Sequence, residues 1–107
     1  MKMLIPPKSA INVPGCGDSL LSEHVALMGH SVLSFDFEPG VIEKMRQRKS
    51  TVNYQVGDML KMDYPNQNFD VVLDKGSFDA LCVDSSETTK QNVKLFCDGV
   101  KRVLKHS

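Results

Sequence analysis

Ile11-Asn12-Val13-Pro14-Gly15-Cys16-Gly17-Asp18-Ser19 is the stretch whose reading decides the fold of this chain. It reads as a short strand, about Ala10 to Val13, a tight glycine turn, and the first turn of a helix over Leu20 to Met28. Glycines at 15 and 17 let the backbone turn sharply and leave no side chain between it and a ligand. The following helix start aims unpaired backbone N–H groups and a positive dipole end at the same spot. Strand, glycine turn and helix start together form a cradle for a nucleotide-like molecule.

Outward from that cradle, strands and helices alternate. Residues 1 to 10 form an irregular lead-in, because Pro6 and Pro7 cannot donate to a ladder and restrict the residues before them. Helix one spans roughly Ser19 to Met28, with Leu21, Val25 and Met28 on one face, Asp18 or Ser19 as N-cap and Gly29 as C-cap. Strand two is Ser31 to Asp36. Helix two starts near Pro39, carries Val41, Ile42 and Met45 inward, and ends in the basic run Lys44 to Lys49. Strand three is Val52 to Val56, and Tyr64 to Asn68 is a turn. Strand four, Phe69 to Leu73, reads as a buried parallel strand. A short apolar segment, Phe78 to Val83, precedes a last helix over Glu87 to Lys105. Val93, Phe96, Cys97, Val100, Val103 and Leu104 form its apolar face. This order predicts an α/β, Rossmann-like parallel sheet of about four strands with flanking helices and right-handed crossovers.

With 107 residues the chain is one domain, residues 1–107. Apolar residues make up 41% and charged residues 24%, a globular rather than disordered balance. Thirteen basic and thirteen acidic residues give zero formal net charge, so neither nucleic acid nor an anionic membrane is expected as a partner. Cys16, Cys82 and Cys97 are odd in number and widely spaced, which points to a reducing compartment, the cytoplasm by default. They have no metal-ligand spacing with His24, His30 or His106. No apolar run is long enough to span a bilayer.

In an open parallel sheet, ligands bind at the carboxyl ends of the strands. Each strand end here carries a polar or glycine-rich element: Gly15-Cys16-Gly17-Asp18, Asp36, Gly57-Asp58-Met59 and Asp74-Lys75-Gly76. Taken singly, each aspartate reads as a loop or cap residue; the convergence of four ends carries the signal. Asp36 follows Gly15 by 21 residues, a distance that suits a carboxylate accepting from both hydroxyls of a ribose. A dinucleotide fingerprint would place a third glycine at position 20, where Leu20 stands. No Lys-Ser/Thr pair follows the glycines, which excludes a P-loop.

Two segments resemble a known family. Val13-Pro14-Gly15-Cys16-Gly17-Asp18-Ser19 with Leu21-Ser22-Glu23 is similar to motif I of the class I, seven-stranded S-adenosylmethionine-dependent methyltransferases. Phe69-Asp70-Val71-Val72-Leu73-Asp74-Lys75-Gly76-Ser77-Phe78-Asp79-Ala80-Leu81 resembles the signature after strand four in the branch that includes the elongation factor 1A lysine and N-terminal methyltransferases. The resemblance runs from about Asn12 to Leu104. Strands five to seven of the full methyltransferase fold have no counterpart in these 107 residues, so the resemblance implies a partial S-adenosylmethionine-binding domain.

The resemblance implies S-adenosyl-L-methionine as cofactor, with Gly15, Cys16 and Gly17 around its methionine part. It implies Asp36 on the ribose hydroxyls, Phe37 beside the adenine, and Asp58 and Met59 bordering the adenine. Asp74 would stand near the cofactor's amino group or the methyl path, with Lys75 and Gly76 shaping the substrate entrance. Asp74 and Asp79 are the carboxylates expected to handle the proton of the attacking amine. No Asn-Pro-Pro-Tyr-like tetrad follows strand four, so the expected acceptor is a protein lysine or N-terminal amine. Two other readings stand beside it. One is a non-catalytic cofactor-binding module acting through interactions. The other, a nicotinamide-dependent Rossmann protein, is disfavoured by Leu20. An open sheet edge after strand four would invite self-association.

Overall fold

The computed structural model describes residues 7–105. The expected lead-in therefore falls mostly outside the described residues. Within them, β1 (Ala10–Val13), α1 (Leu21–Leu27), β2 (Ser31–Asp36), α2 (Pro39–Arg46), β3 (Asn53–Val56), β4 (Val71–Val72), α3 (Ser77–Leu81) and α4 (Glu87–Val103) follow in order. The strands form one parallel sheet in the order β3-β2-β1-β4. The expected four-stranded Rossmann-like sheet is what the chain forms.

Side chains alternate across the sheet, as the strand period of two requires. Ile11 and Val13 of β1, Val32 of β2 and Tyr54 of β3 face α1 and α2, and pack with Val25, Ile42 and Met45. Phe35 faces the other way, toward Met62, Phe69, Phe96 and Val103, with Ala10, Leu33 and Val72 beside it. The sheet is thus covered by α1 and α2 on one face and by α4 on the other.

Local chemistry sets the element ends. In α1 the Ser19 hydroxyl accepts from the Leu21 N–H at 3.2 Å, and Gly29 follows the helix at φ +94°. The buried face of α1 is Ser22 and Val25, whereas Met28 is 57% exposed. The expectation that Met28 points inward fails because the helix ends at Leu27 and the chain turns away at Gly29. Ser22 takes the inward place by pairing its hydroxyl with that of Ser34 at 2.5 Å. α2 opens with Pro39, and Arg46 near its end donates to the Tyr54 carbonyl at 2.9 Å, tying helix to strand. α4 is capped by Ser86, whose hydroxyl accepts from the Thr89 N–H at 3.2 Å.

β4 is shorter than the sequence suggests. Only Val71 and Val72 are strand, and both are half-buried. On its free side Phe69 pairs with Leu104, where the Lys105 N–H donates to the Phe69 carbonyl at 2.9 Å. Beyond Phe69 that edge faces a groove of about 420 Å³ lined by Val72, Phe78, Phe96, Cys97 and Val100. Cys97, expected on the packed face of α4, is exposed there. Arg102 pins the β3–β4 connection by donating to the Met62 and Tyr64 carbonyls and to Asn66 Oδ1.

Candidate functional site

Because all strands are parallel, their carboxyl ends lie along one edge, and the candidate residues follow from that. β1 ends at Val13, and the chain turns through Gly15 and Gly17 at φ +57° and +53°, in the left-handed region that favours glycine. This turn is attached to β2 at two points. The Cys16 N–H donates to the Phe35 carbonyl at 3.0 Å, and the Gly17 N–H donates to Asp36 Oδ2 at 2.9 Å. Asp36 Oδ1 accepts from the Glu38 N–H at 3.0 Å. Just past the end of β3, Gly57 extends the pairing with β2, its N–H donating to the Asp36 carbonyl at 2.9 Å. The next residue, Asp58, folds its own turn by accepting from the Leu60 N–H at 2.8 Å.

These ends enclose a cleft of about 170 Å³. It brings together Gly15, Asp36, Phe37, Asp58 and Met59, five of the residues expected to touch a cofactor. Phe37 is 68% exposed, an apolar ring held at the mouth. Gly17 sits beside the cleft through its bond to Asp36. The Cys16 side chain turns instead into the α1–α2 core. Burial, and then the Asp36 charge, push its thiol up to about 11. It therefore stays protonated near neutral pH and is no nucleophile; its backbone is what belongs to the turn.

Asp74 and Asp79 lie on the β4 side. Asp74 Oδ1 accepts from the N–H groups of Gly76 and Ser77 at 3.1 and 2.7 Å, and Oδ2 from the Phe78 N–H at 2.9 Å. The carboxylate thereby builds the start of α3. Asp79 lies in the first turn of α3 and is exposed. The cleft itself is reached from this side by Leu81. Among the described residues no group of three or more His, Cys, Asp or Glu could hold a metal ion.

Sequence reasoning missed three contributors. Phe35 floors the cleft and is 1% exposed; it reads as plain core because strand periodicity marks burial, not function. Leu60 and Leu81 line it from a turn and a short helix, where no spacing rule flags them. The fit of an adenosyl cofactor rests on the cleft's own build. A carboxylate stands at the end of β2, and apolar walls come from Phe35, Phe37, Met59 and Leu81. Gly57 stands where an added Cβ would come 3.1 Å from the Phe35 ring, so glycine there leaves the Phe35 floor in place.

The family described as "Methyltransferase domain" matches residues 13–107. The eEF1A lysine and N-terminal methyltransferases of Bos taurus and Homo sapiens are 36% and 37% identical to the chain over 105 residues. That match covers 94% of this chain and 15% of each relative, so the chain spans under a sixth of their length. EEF1A lysine methyltransferase 4 of Mus musculus is 39% identical over 79 residues, covering 70% of this chain and 31% of its own. Among solved structures, the TehB-like SAM-dependent methyltransferase from Corynebacterium glutamicum superposes with a TM-score of 0.76 at 21% identity, covering 94% of this chain and 52% of that one. PH0226 from Pyrococcus horikoshii gives 0.79 at 24% identity, covering 92% and 45%. At those identities the structures speak to the fold, and the family match speaks to descent. The family match, over residues 13–107, establishes that the chain belongs to the methyltransferase-domain family, and the solved structures show that it has the fold of S-adenosylmethionine-dependent methyltransferases.

Proposed function

We propose that this chain binds S-adenosylmethionine in the cleft at the ends of β1, β2 and β3, as part of an enzyme that methylates a protein lysine or N-terminal amine. The observation that carries the reading is the convergence of Gly15, Asp36, Asp58 and Met59 on one cleft. The named activity of the relatives, which modify eEF1A lysines and N-termini, favours a protein amine as acceptor.

When bound, S-adenosylmethionine supplies a methyl group already activated on a sulfonium. The chain's own work is to hold and orient. Asp36 accepts from the ribose hydroxyls. Asp58 accepts from the adenine amine, and Phe37 and Met59 flank the ring. Gly15 and Gly17 let the backbone approach the methionine part, with Cys16 contributing backbone only. Asp74, which lies outside the cleft lining, keeps acceptor capacity beyond its three backbone bonds, since a carboxylate offers about four lone-pair sites, and would offer it to the amino group of the ligand. Asp79, exposed on α3, would accept the proton that the substrate ammonium sheds before the neutral amine attacks. The cytoplasm is the compartment that the odd, widely spaced cysteines support.

The test is transfer from methyl-labelled S-adenosylmethionine to a protein extract, with and without prior blocking of its amines. Label in protein that disappears on blocking supports the reading. Label in blocked protein, nucleic acid or small molecules contradicts the acceptor class. Cofactor uptake with no transfer to any fraction favours the second reading, a non-catalytic binding module.

A further inference from the structure

We propose that Ser77 is a positioning residue of the glycine turn, locking the Pro14–Gly15 peptide in the orientation that the cofactor meets. The cofactor half of this statement rests on the function proposed above; the lock itself rests on geometry alone.

Ser77 is the first residue of α3, 63 positions from Pro14, yet its hydroxyl donates to the Pro14 carbonyl at 2.9 Å. It is 6% exposed, and Pro14 is fully buried. Proline has no N–H, so the carbonyl is its one backbone hydrogen-bonding group. Gly15, next in the chain, has no Cβ to restrict rotation and sits at φ +57°. The Pro14–Gly15 peptide can therefore turn about a glycine, and Ser77 grips it at its carbonyl. The Ser77 hydroxyl also occupies the space beside Gly15, where an added Cβ would clash with it. Glycine at 15 and serine at 77 are two halves of one fit.

Ser77 is itself held. Its N–H donates to Asp74 Oδ1 at 2.7 Å, and Asp74 also fixes Gly76 and Phe78. A continuous path thus runs from the end of β4 through Asp74 and Ser77 to the glycine turn. On the opposite side, the bonds from Cys16 to Phe35 and from Gly17 to Asp36 tie the turn to β2. The turn is gripped from both neighbouring strands. Removing the hydroxyl would leave a buried carbonyl without a partner, a state the chain relieves by rotating that peptide.

Hydrogen exchange on the full chain without ligand tests the lock. In Ser77→Ala the Cys16 and Gly17 amides should exchange at least tenfold faster, while the Ile42 amide in α2 is unchanged. Ser77→Thr, which keeps the hydroxyl, should restore slow exchange. Titration with S-adenosylhomocysteine tests the consequence: at least fivefold weaker binding for Ser77→Ala and binding within twofold of wild type for Ser77→Thr. Wild-type exchange at Cys16 and Gly17 in Ser77→Ala overturns the lock, and so does a uniform rise that includes Ile42. If Ser77→Ala does not fold, Ser77→Val, which has the shape of threonine but no donor, replaces it, and wild-type exchange there overturns the lock equally. A folded wild type that takes up no S-adenosylhomocysteine sinks the cofactor reading, while the exchange comparison still decides the lock.

Discussion

The two flanks of β1 are built to different standards. Toward β2 and β3, strands of six and four residues pair in register, and Ile11, Val13, Val32 and Ile42 are at most 4% exposed. Toward β4, a strand of two half-buried valines borders an open apolar groove. The cofactor cleft is formed mainly by the first flank and Asp74 and Asp79 stand on the second. On the proposed function, cofactor binding draws on the well-packed half, and the proton handling assigned to Asp79 draws on the half with an exposed apolar edge.

That contrast makes the largest expected difference one of stability. Ile11→Ala should cost about 2–5 kcal/mol, the usual range for emptying a buried aliphatic site. Val72→Ala should cost about 1 kcal/mol, because its side chain is only partly removed from water. Urea unfolding of both variants measures it, and equal costs would erase the distinction between the flanks. Next comes Asp36→Asn, which keeps an acceptor but loses the charge at the ribose position. S-adenosylhomocysteine affinity should fall about tenfold, the value of one charge-assisted hydrogen bond. An unchanged affinity would remove Asp36 from the site.

The smallest effect is electrostatic. The Ala10 N–H, donating at 2.7 Å, and then Lys105 hold the Asp70 carboxyl below the ordinary carboxylate range. A carboxyl whose pKa is lower folded than unfolded stabilises the fold above its unfolded value of about 4 and loses that contribution as pH falls through the folded value. Thermal midpoints of wild type and Asp70→Asn should differ most near pH 7 and converge as the pH drops below about 4. A gap that stays constant with pH would mean the charge of Asp70 plays no part. The contact is exposed, so the gap should also narrow with salt.

Most of the first flank was legible in the sequence. The β1 and β2 bounds follow from alternating apolar runs closed by a glycine turn and by Asp36, and Pro39 marks the start of α2. The cleft residues Gly15, Asp36, Asp58 and Met59 were legible because each sits at, or within three residues of, the carboxyl end of a strand, where topology fixes the location. Sequence reasoning failed where tertiary contacts decide. Met28 carries the right helical spacing, but its helix has already ended. Val71 and Val72 read as a buried parallel strand, but among the described residues they pair with β1 alone and stay half-buried. Ser77 looks like a loop serine, and only the fold brings it to Pro14. That contact also gives a physical reason for the two signature segments to occur together, since Lys75 Nζ likewise reaches Ser19 Oγ at 3.3 Å.

The central claim is that the ends of β1, β2 and β3 hold the adenosyl cofactor. Calorimetric titration of the 107-residue chain with S-adenosylhomocysteine tests it most directly. One saturable site and a rise in thermal midpoint, both weakened in Asp36→Asn, are the predicted result. A chain that shows a cooperative unfolding transition but gives neither binding heat nor a thermal shift would contradict it.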